Sequence, residues 1–515
     1  MKISQIFTQY SSQNTIFEII ILFLFFILGL IGILNHAMWR DEMTIWLIVR
    51  DSQSWGELLQ IIHYEPHPVL WYFCVAILQK FIGYPVSMQL FHLLLGTGVA
   101  ALILIKSPFT RWQKVVLIFG YLFFYEYFLI SRNYSLGLLF GFGVCALWET
   151  RKHTYIKLAF LLFFMANSSA YSLFIAIALG FTLILENLLQ NSWHYHTKAS
   201  LKNYCLSLII FLSGIGLAIA FLIPPADNIE NGGFSQGWRL TFELRHFFTT
   251  LARLWNSYIA IIVAGDSKYY SVLICGTLSL VLMLWVIGFL LKKPLVLFFY
   301  LIATTEIFLF TYVKYLGAQR HFGHLFIVLI MALWLSHYYR DWPLILKQTK
   351  FSRKWFNFSN RSKKALVMVL LYLQLIAGIV AYSRDLMLPF SASRATAEYI
   401  SQQGLNDLFI VGSQDVIMSP ISGYLRRKIY YPESQALGSF VLFTNRRQEV
   451  NPEEVLRQVG ELLKIHDSIL LILNYPLELS PTNLKIEFLA KFQKGLIYDE
   501  KYHLYRVESS DTLTK

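Results

Sequence analysis

Long apolar runs restrict the fold of this chain more than any other feature. Ile16–Leu34 is about 19 residues, enough to cross a ~30 Å hydrocarbon layer as a helix. Ten further segments read the same way: 86–105, 114–131, 134–149, 155–168, 170–189, 203–223, 270–291, 295–313, 322–338 and 365–383. Together they predict eleven spans, with 68–83 and 245–264 apolar but ambiguous. Only 15% of the 515 residues are charged and 56% are hydrophobic, which excludes an ordinary soluble enzyme. The 17% aromatic content suits the belts of a helical membrane bundle. Residues 1–15 are polar with only Lys2 basic, and no small-residue cleavage site follows the first run. That run is therefore expected to be a retained span and not a cleaved signal.

Basic residues orient the bundle. Residues 1–383 hold 29 Lys and Arg against 15 Asp and Glu, whereas 384–515 hold 15 against 16. The excess belongs to the membrane part, so it reads as topology and not as affinity for nucleic acid. Clusters at Lys106/Arg111/Lys114, Arg151/Lys152/Lys157, Lys198/Lys202, Lys292/Lys293 and Arg340 to Lys364 fall on one side only if 68–83 and 245–264 do not cross. Both are therefore expected as helices in or near the outer interface. The N-terminus is then cytoplasmic, and 36–85, 132–133, 224–269, 314–321 and 384–515 face outward, into the periplasm of a bacterial inner membrane or an equivalent lumen. The four cysteines, Cys74, Cys145, Cys205 and Cys275, lie in apolar stretches and read as buried free thiols.

Two domains follow, a membrane domain over 1–383 and an outward soluble domain over 384–515. In the second, helical patterns at Ser391–Gln402, Ser419–Arg426 and Pro452–Lys464 alternate with strand-like Leu408–Val411, Lys428–Tyr431, Ser468–Leu473 and His503–Val507. That alternation predicts a small α/β fold.

Polar clusters gather on the outward side. Trp39-Arg40-Asp41-Glu42 follows the first span directly, and carboxylates there must be solvated, paired or functional. His63-Tyr64-Glu65-Pro66-His67-Pro68 is a turn, its prolines setting an extended conformation that holds Glu65 and His67 at one depth. Glu126 precedes Arg132-Asn133-Tyr134, and Lys314 precedes Gln319-Arg320-His321. An arginine at this depth seeks an anion, and its planar fork suits phosphate.

In their order, Trp39-Arg40-Asp41-Glu42, His67-Pro68-Val69-Leu70 and Arg132-Asn133-Tyr134 resemble the C-type fold membrane glycosyltransferases. More narrowly, they are similar to the protein mannosyltransferase, lipid A aminoarabinose transferase and lipopolysaccharide galacturonosyltransferase group. The turn here has Val69 where that group's pattern has a second proline, and 165–171 lacks a histidine that the pattern carries. The resemblance implies a multi-pass bundle with two outer juxtamembrane helices and an outward C-terminal domain. It implies inverting transfer of a sugar from a polyprenyl-phosphate donor to a hydroxyl of a lipid, glycan or protein acceptor. Asp41 matches the catalytic aspartate and is expected to be the general base, with Glu42 also catalytic by positioning the acceptor or a cation; a paired, partly desolvated carboxylate is expected to have a raised pKa. Arg132, Tyr134, Lys314, Arg320 and His321 are expected at the donor, and Glu65, His67 and Glu126 at the acceptor or in positioning roles. A divalent cation on Asp41, Glu42, Glu65 and Glu126 stays open, as do the readings of a lipid-linked sugar flippase and an O-antigen-type polymerase or ligase.

Overall fold

The computed structural model describes residues 12–65, 67–189, 199–228, 238–261, 265, 268–342, 350–479 and 482–510. Pro66 and parts of the stretches 224–269 and 340–364 lie outside the described residues.

In chain order the helices of the bundle are α1 (Ser12–Asn35), α2 (Arg40–Asp51), α3 (Trp55–Ile62), α4 (Leu70–Phe81), α5 (Val86–Lys106), α6 (Arg111–Ile118), α7 (Tyr134–Leu147), α8 (Ile156–Ala166), α9 (Ala170–Leu188), α10 (Leu201–Leu222), α11 (Leu244–Ile259), α12 (Tyr269–Leu290), α13 (Pro294–Val313), α14 (Gln319–Phe322), α15 (His324–Leu335) and α16 (Lys350–Met387). Among the described residues, eight helices are long and apolar enough to cross a membrane. Three of the eleven expected spans fall short. The segment 134–149 is α7, of 14 residues, and 155–168 is α8, of 11. The segment 114–131 breaks at Gly120 between α6 and a π-helical turn, Tyr121–Glu126.

The break has a packing cause. Helix α16 crosses it at Gly378, where a Cβ would lie 2.8 Å from the Phe119 carbonyl oxygen. One turn earlier, Gln374 accepts from the Leu122 N–H (3.4 Å) and donates to the Ser257 and Tyr258 carbonyls at 2.8 and 3.2 Å. Irregular backbone inside a bundle persists only where protein groups satisfy it in this way.

Of the two ambiguous stretches, 68–83 forms α4, only 12 residues long, packed on α2. The stretch 245–264 departs from expectation. At its start the Glu243 N–H donates to Tyr312 Oη (2.9 Å), while near its end Tyr258 Oη meets Tyr300 Oη (3.2 Å). Helix α11 thus runs antiparallel beside α13 for about 18 Å and stops at Ala260, whose φ of 59° is left-handed. It is inserted in the bundle and does not lie along the interface. Its polar end is satisfied there: the Phe326 N–H donates to Ser257 Oγ (3.0 Å) and Gln319 donates to the Asn256 carbonyl (3.0 Å). The cysteines are free, but Cys205 is exposed and Cys74 only half-buried.

Beyond α16 come α17 (Ser393–Gln402), β1 (Phe409–Gly412), α18 (Ser419–Leu425), β2 (Ile429–Tyr431), β3 (Ala436–Gly438), α19 (Pro452–Leu462), β4 (Ser468–Leu473), β5 (Leu484–Phe492) and β6 (Tyr502–Ser509). The sheet order is β3-β2-β1-β4-β6-β5. β1 is parallel to β2 and β4, and the other pairings are antiparallel. Leu470 and Ile472 pack toward Ile400 and Ile421, whereas Ile469, Leu471 and Leu473 pack toward Val455 and Val459. Helices therefore cover both faces, which is why β4 is a continuous apolar run.

This domain is seated on the loop that follows α1. The Met38 N–H donates to Tyr424 Oη (2.8 Å), and Gly423 of α18 packs on Met43 so closely that a Cβ would meet its sulfur at 2.3 Å. Arg394 donates to the Leu34, Asn35 and His36 carbonyls, capping the end of α1.

Candidate active site

The first turn of α2 puts two carboxylates, Asp41 and Glu42, on the positive end of a helix. Consecutive helical residues project in different directions, and these two part company. Glu42 is fully buried: its Oε2 accepts from His36 Nε2 (2.9 Å) and its Oε1 from the Ser131 N–H (2.7 Å). His36 Nδ1 meets Asp385 Oδ2 at 2.7 Å. With a carboxylate oxygen at each ring nitrogen, both nitrogens must donate, so the ring is an imidazolium. Burial alone would lower its pKa; Glu42 and Asp385 outweigh that and raise it to about 10. Glu42 is thus a member of a closed buried network and not, as its position beside Asp41 suggested, a ligand for an acceptor or cation.

Asp41 faces the other way, toward a part-exposed surface. Arg132 pairs with its Oδ2, and Arg320 Nη2 donates to the same oxygen at 3.0 Å. Burial pushes the carboxyl up, but the two guanidiniums outweigh it and hold it below the usual carboxylate range. The expected rise is therefore overturned, because the neighbour meant to cause it points toward His36. Arg40 also turns away, to Asp499 (2.7 Å) and Glu500 (3.8 Å).

The arginines are held by more than Asp41. The Arg132 guanidinium lies over Tyr134 (5.8 Å) and donates to His67 Nε2 (3.4 Å), and Arg320 lies over Trp39 (5.1 Å). Their buried Nε atoms have no hydrogen-bond partner. Such donors are costly unless something else satisfies them. Behind them, the His321 ring packs against Tyr134, Tyr171 and Tyr315, with its Nδ1 accepting from the Ala318 N–H (2.8 Å). The structure thus brings Asp41, Arg132, Tyr134, His67, Arg320 and His321 together. Glu65 belongs to the same turn as His67, within electrostatic reach of Tyr72. Lys314 sits over the Trp238 ring at 5.4 Å. Glu126 is buried in the π-helical turn, accepts from Tyr121 Oη (2.5 Å) and lies within electrostatic reach of Arg320 and Arg132. The four carboxylates considered for a cation do not converge, and no group of three metal-ligating side chains occurs among the described residues.

Three contributors were missed in the sequence. Arg253, on the inserted helix α11, is buried with its guanidinium 5.0 Å from the Phe322 ring centre. Its signal was an arginine within an amphipathic stretch. The second is His36 with Asp385, which are 349 residues apart and carried no signal. The third comes from the C-terminal domain, where no residue looked functional. Glu500 is fully buried beside the site and accepts from the Arg40 N–H (3.0 Å). Burial pushes its carboxyl up to about 7, with Ser391 and Arg40 opposing. A folded-state value above the unfolded one means that the folded state holds the extra proton, so stability falls as pH rises from about 4.5 to about 7. Glu500→Gln should therefore melt at a higher temperature than the parent at pH 8 and at nearly the same temperature at pH 4.5. Equal melting of the two proteins at both pH values would contradict a raised Glu500.

No family model matches the sequence, and no curated protein matches it in sequence. The structure is similar to the crystal structure of ArnT from Cupriavidus metallidurans bound to undecaprenyl phosphate. The superposition has a TM-score of 0.53 at 12% identity and covers 96% of this chain and 98% of that one. With the likeness extending over both the bundle and the C-terminal sheet, the chain has the ArnT fold.

Proposed function

We propose that the protein transfers one sugar from a polyprenyl-phosphate carrier to an acceptor hydroxyl on the outward face of the membrane, with Asp41 as general base. The observation that carries this reading is a single part-exposed carboxylate held between two arginines at the end of the first span. The bound undecaprenyl phosphate of the ArnT structure supports the carrier class.

The chemistry is coherent with the ion pairs. Asp41 pairs with both Arg132 and Arg320 and offsets one of their two positive charges. A donor phosphate competes for both guanidiniums and for their unpartnered Nε groups. As they turn to phosphate, Asp41 loses the charges that depress its basicity and becomes a better proton acceptor. The acceptor oxygen then forms a bond to the anomeric carbon as the bond from that carbon to the phosphate oxygen breaks. The hydroxyl proton passes to Asp41, polyprenyl phosphate leaves, and the anomeric configuration inverts.

Purified protein in lipid nanodiscs, given polyprenyl-phosphate sugars and an envelope lipid extract, should release polyprenyl phosphate. Binding and flipping of the lipid-linked sugar without release would identify a transporter instead. The orientation is tested separately. In a cysteine-free background, a cysteine at exposed Lys494 should react with an impermeant thiol reagent in intact spheroplasts, and one at exposed Lys354 only after lysis. The reverse pattern would put Asp41 on the cytoplasmic side.

A further inference from the structure

The loop that carries Arg132 is held by its backbone. The Ser131 N–H donates to Glu42 Oε1 (2.7 Å), and His92 Nε2 lies 3.2 Å from the N–H and 2.9 Å from the carbonyl oxygen of Arg132. His92 Nδ1 lies 3.2 Å from the Phe128 carbonyl oxygen. Asn133 donates to the Ser168 carbonyl (2.9 Å). Of these anchors, only Glu42 is a charged group, and a charged acceptor makes the strongest of such bonds.

Glu42 is itself fixed from one side by His36, and His36 by the root of the outward domain. Asp385 lies near the end of α16, which delivers that domain, and occupies the second ring nitrogen at 2.7 Å. Asn35 donates to the Asp385 carbonyl (2.8 Å), Phe390 packs on the His36 ring (4.6 Å), and Arg394 donates to the His36 carbonyl. Side chains of His36 and Glu42 are 0% exposed, and that of Asp385 is 4% exposed. An ion triad so enclosed gains little net stability from its own attraction, because desolvation offsets it. What it supplies is a fixed geometry.

We propose that His36 is a positioning residue which, bridging Asp385 and Glu42, ties the root of the outward domain to the backbone of the Arg132 loop. Seating of that domain and the aim of the Arg132 guanidinium at the donor phosphate are then set by one chain of contacts, Asp385–His36–Glu42–Ser131. This rests on the proposed role of Arg132 in donor binding.

The test uses the full chain in nanodiscs, with His36→Gln and the milder Asp385→Asn, which retains the shape and removes the charge. In the absence of any ligand, hydrogen exchange of a peptide spanning 127–135 should accelerate at least tenfold in both variants, with peptides of α13 and α15 unchanged. Affinity for undecaprenyl phosphate should fall by about tenfold in each, and the double variant should be no worse than either single one. Exchange within twofold of the parent would overturn the proposal, as would equal acceleration across the whole chain or additive losses in the double variant. If His36→Gln does not fold, Asp385→Asn gives both readings. Failure of the parent to bind undecaprenyl phosphate would reject the donor reading, while the exchange result would still decide whether His36 fixes the loop.

Discussion

Asp41→Asn is expected to lower turnover by ~10²–10⁴-fold, the usual loss for a removed general base, with the fold unchanged. The substitution is isosteric at a side chain that is 23% exposed, so packing is not the cause. The informative part is the effect on the donor. Asp41 pairs with both Arg132 and Arg320 and offsets one of their two positive charges. Without its charge both guanidiniums are free for phosphate, so the variant should bind undecaprenyl phosphate at least as tightly as the parent. A fall in kcat with equal or lower KM for the donor is the signature. The pH profile follows from the same pairs. A base acts when deprotonated, and the arginines hold the free carboxyl below its usual range. The acid limb of kcat/KM should therefore lie below the range of an unperturbed aspartate, about 3.9. Near-normal turnover in Asp41→Asn would remove Asp41 from the chemistry and leave it as an anchor for the arginines.

Truncating the arginines should weaken the donor complex most, and unequally. Removing one partner of a desolvated charge contact costs ~2–5 kcal/mol in binding, so Arg132→Ala and Arg320→Ala should each lose roughly 30-fold or more in undecaprenyl phosphate affinity. The Arg132 side chain is 6% exposed and that of Arg320 22%. Arg132→Ala should in addition destabilise the protein, because the arginine and its carboxylate partner are largely desolvated. Arg320→Ala should melt nearly like the parent. Arg132→Lys should recover part of the stability but little of the affinity, since an ammonium cannot bond phosphate and stack on Tyr134 at once. Calorimetric titration of each variant reads the affinities, and parent-like binding by all of them would make these arginines structural.

Some of this was open to a reader of the sequence. Membrane character is set by composition, because hydrocarbon accepts long apolar helices whatever their neighbours. The runs behind α1, α5, α9, α10, α12, α13 and α16 needed no partner to be recognised. Strand β4 was legible for a like reason, with five of its six residues buried by helices on both faces. The edge strands β3 and β5 were not read: β3 is only three residues, and the alternation of β5 over Leu484–Phe488 breaks at a register shift between Phe488 and Ala490. The break at Gly120 was hidden as well. It depends on Gly378 and Gln374, more than 250 positions away, reaching the same point in space.

The site divides along the same line. Sequence alone determined that Asp41, Arg132 and Arg320 lie at the ends of apolar segments, where charges need partners, and that each arginine would seek an anion. Only the tertiary structure decided that the anion both arginines meet is Asp41. It also decided that Glu42 belongs to His36 and Asp385, and that Glu500 of the C-terminal domain stands beside Arg40. The physical reason is that ionisation follows from what surrounds a carboxylate. Asp41 and Glu42 are adjacent in the chain, but helical geometry sends one toward two guanidiniums and the other toward an imidazolium.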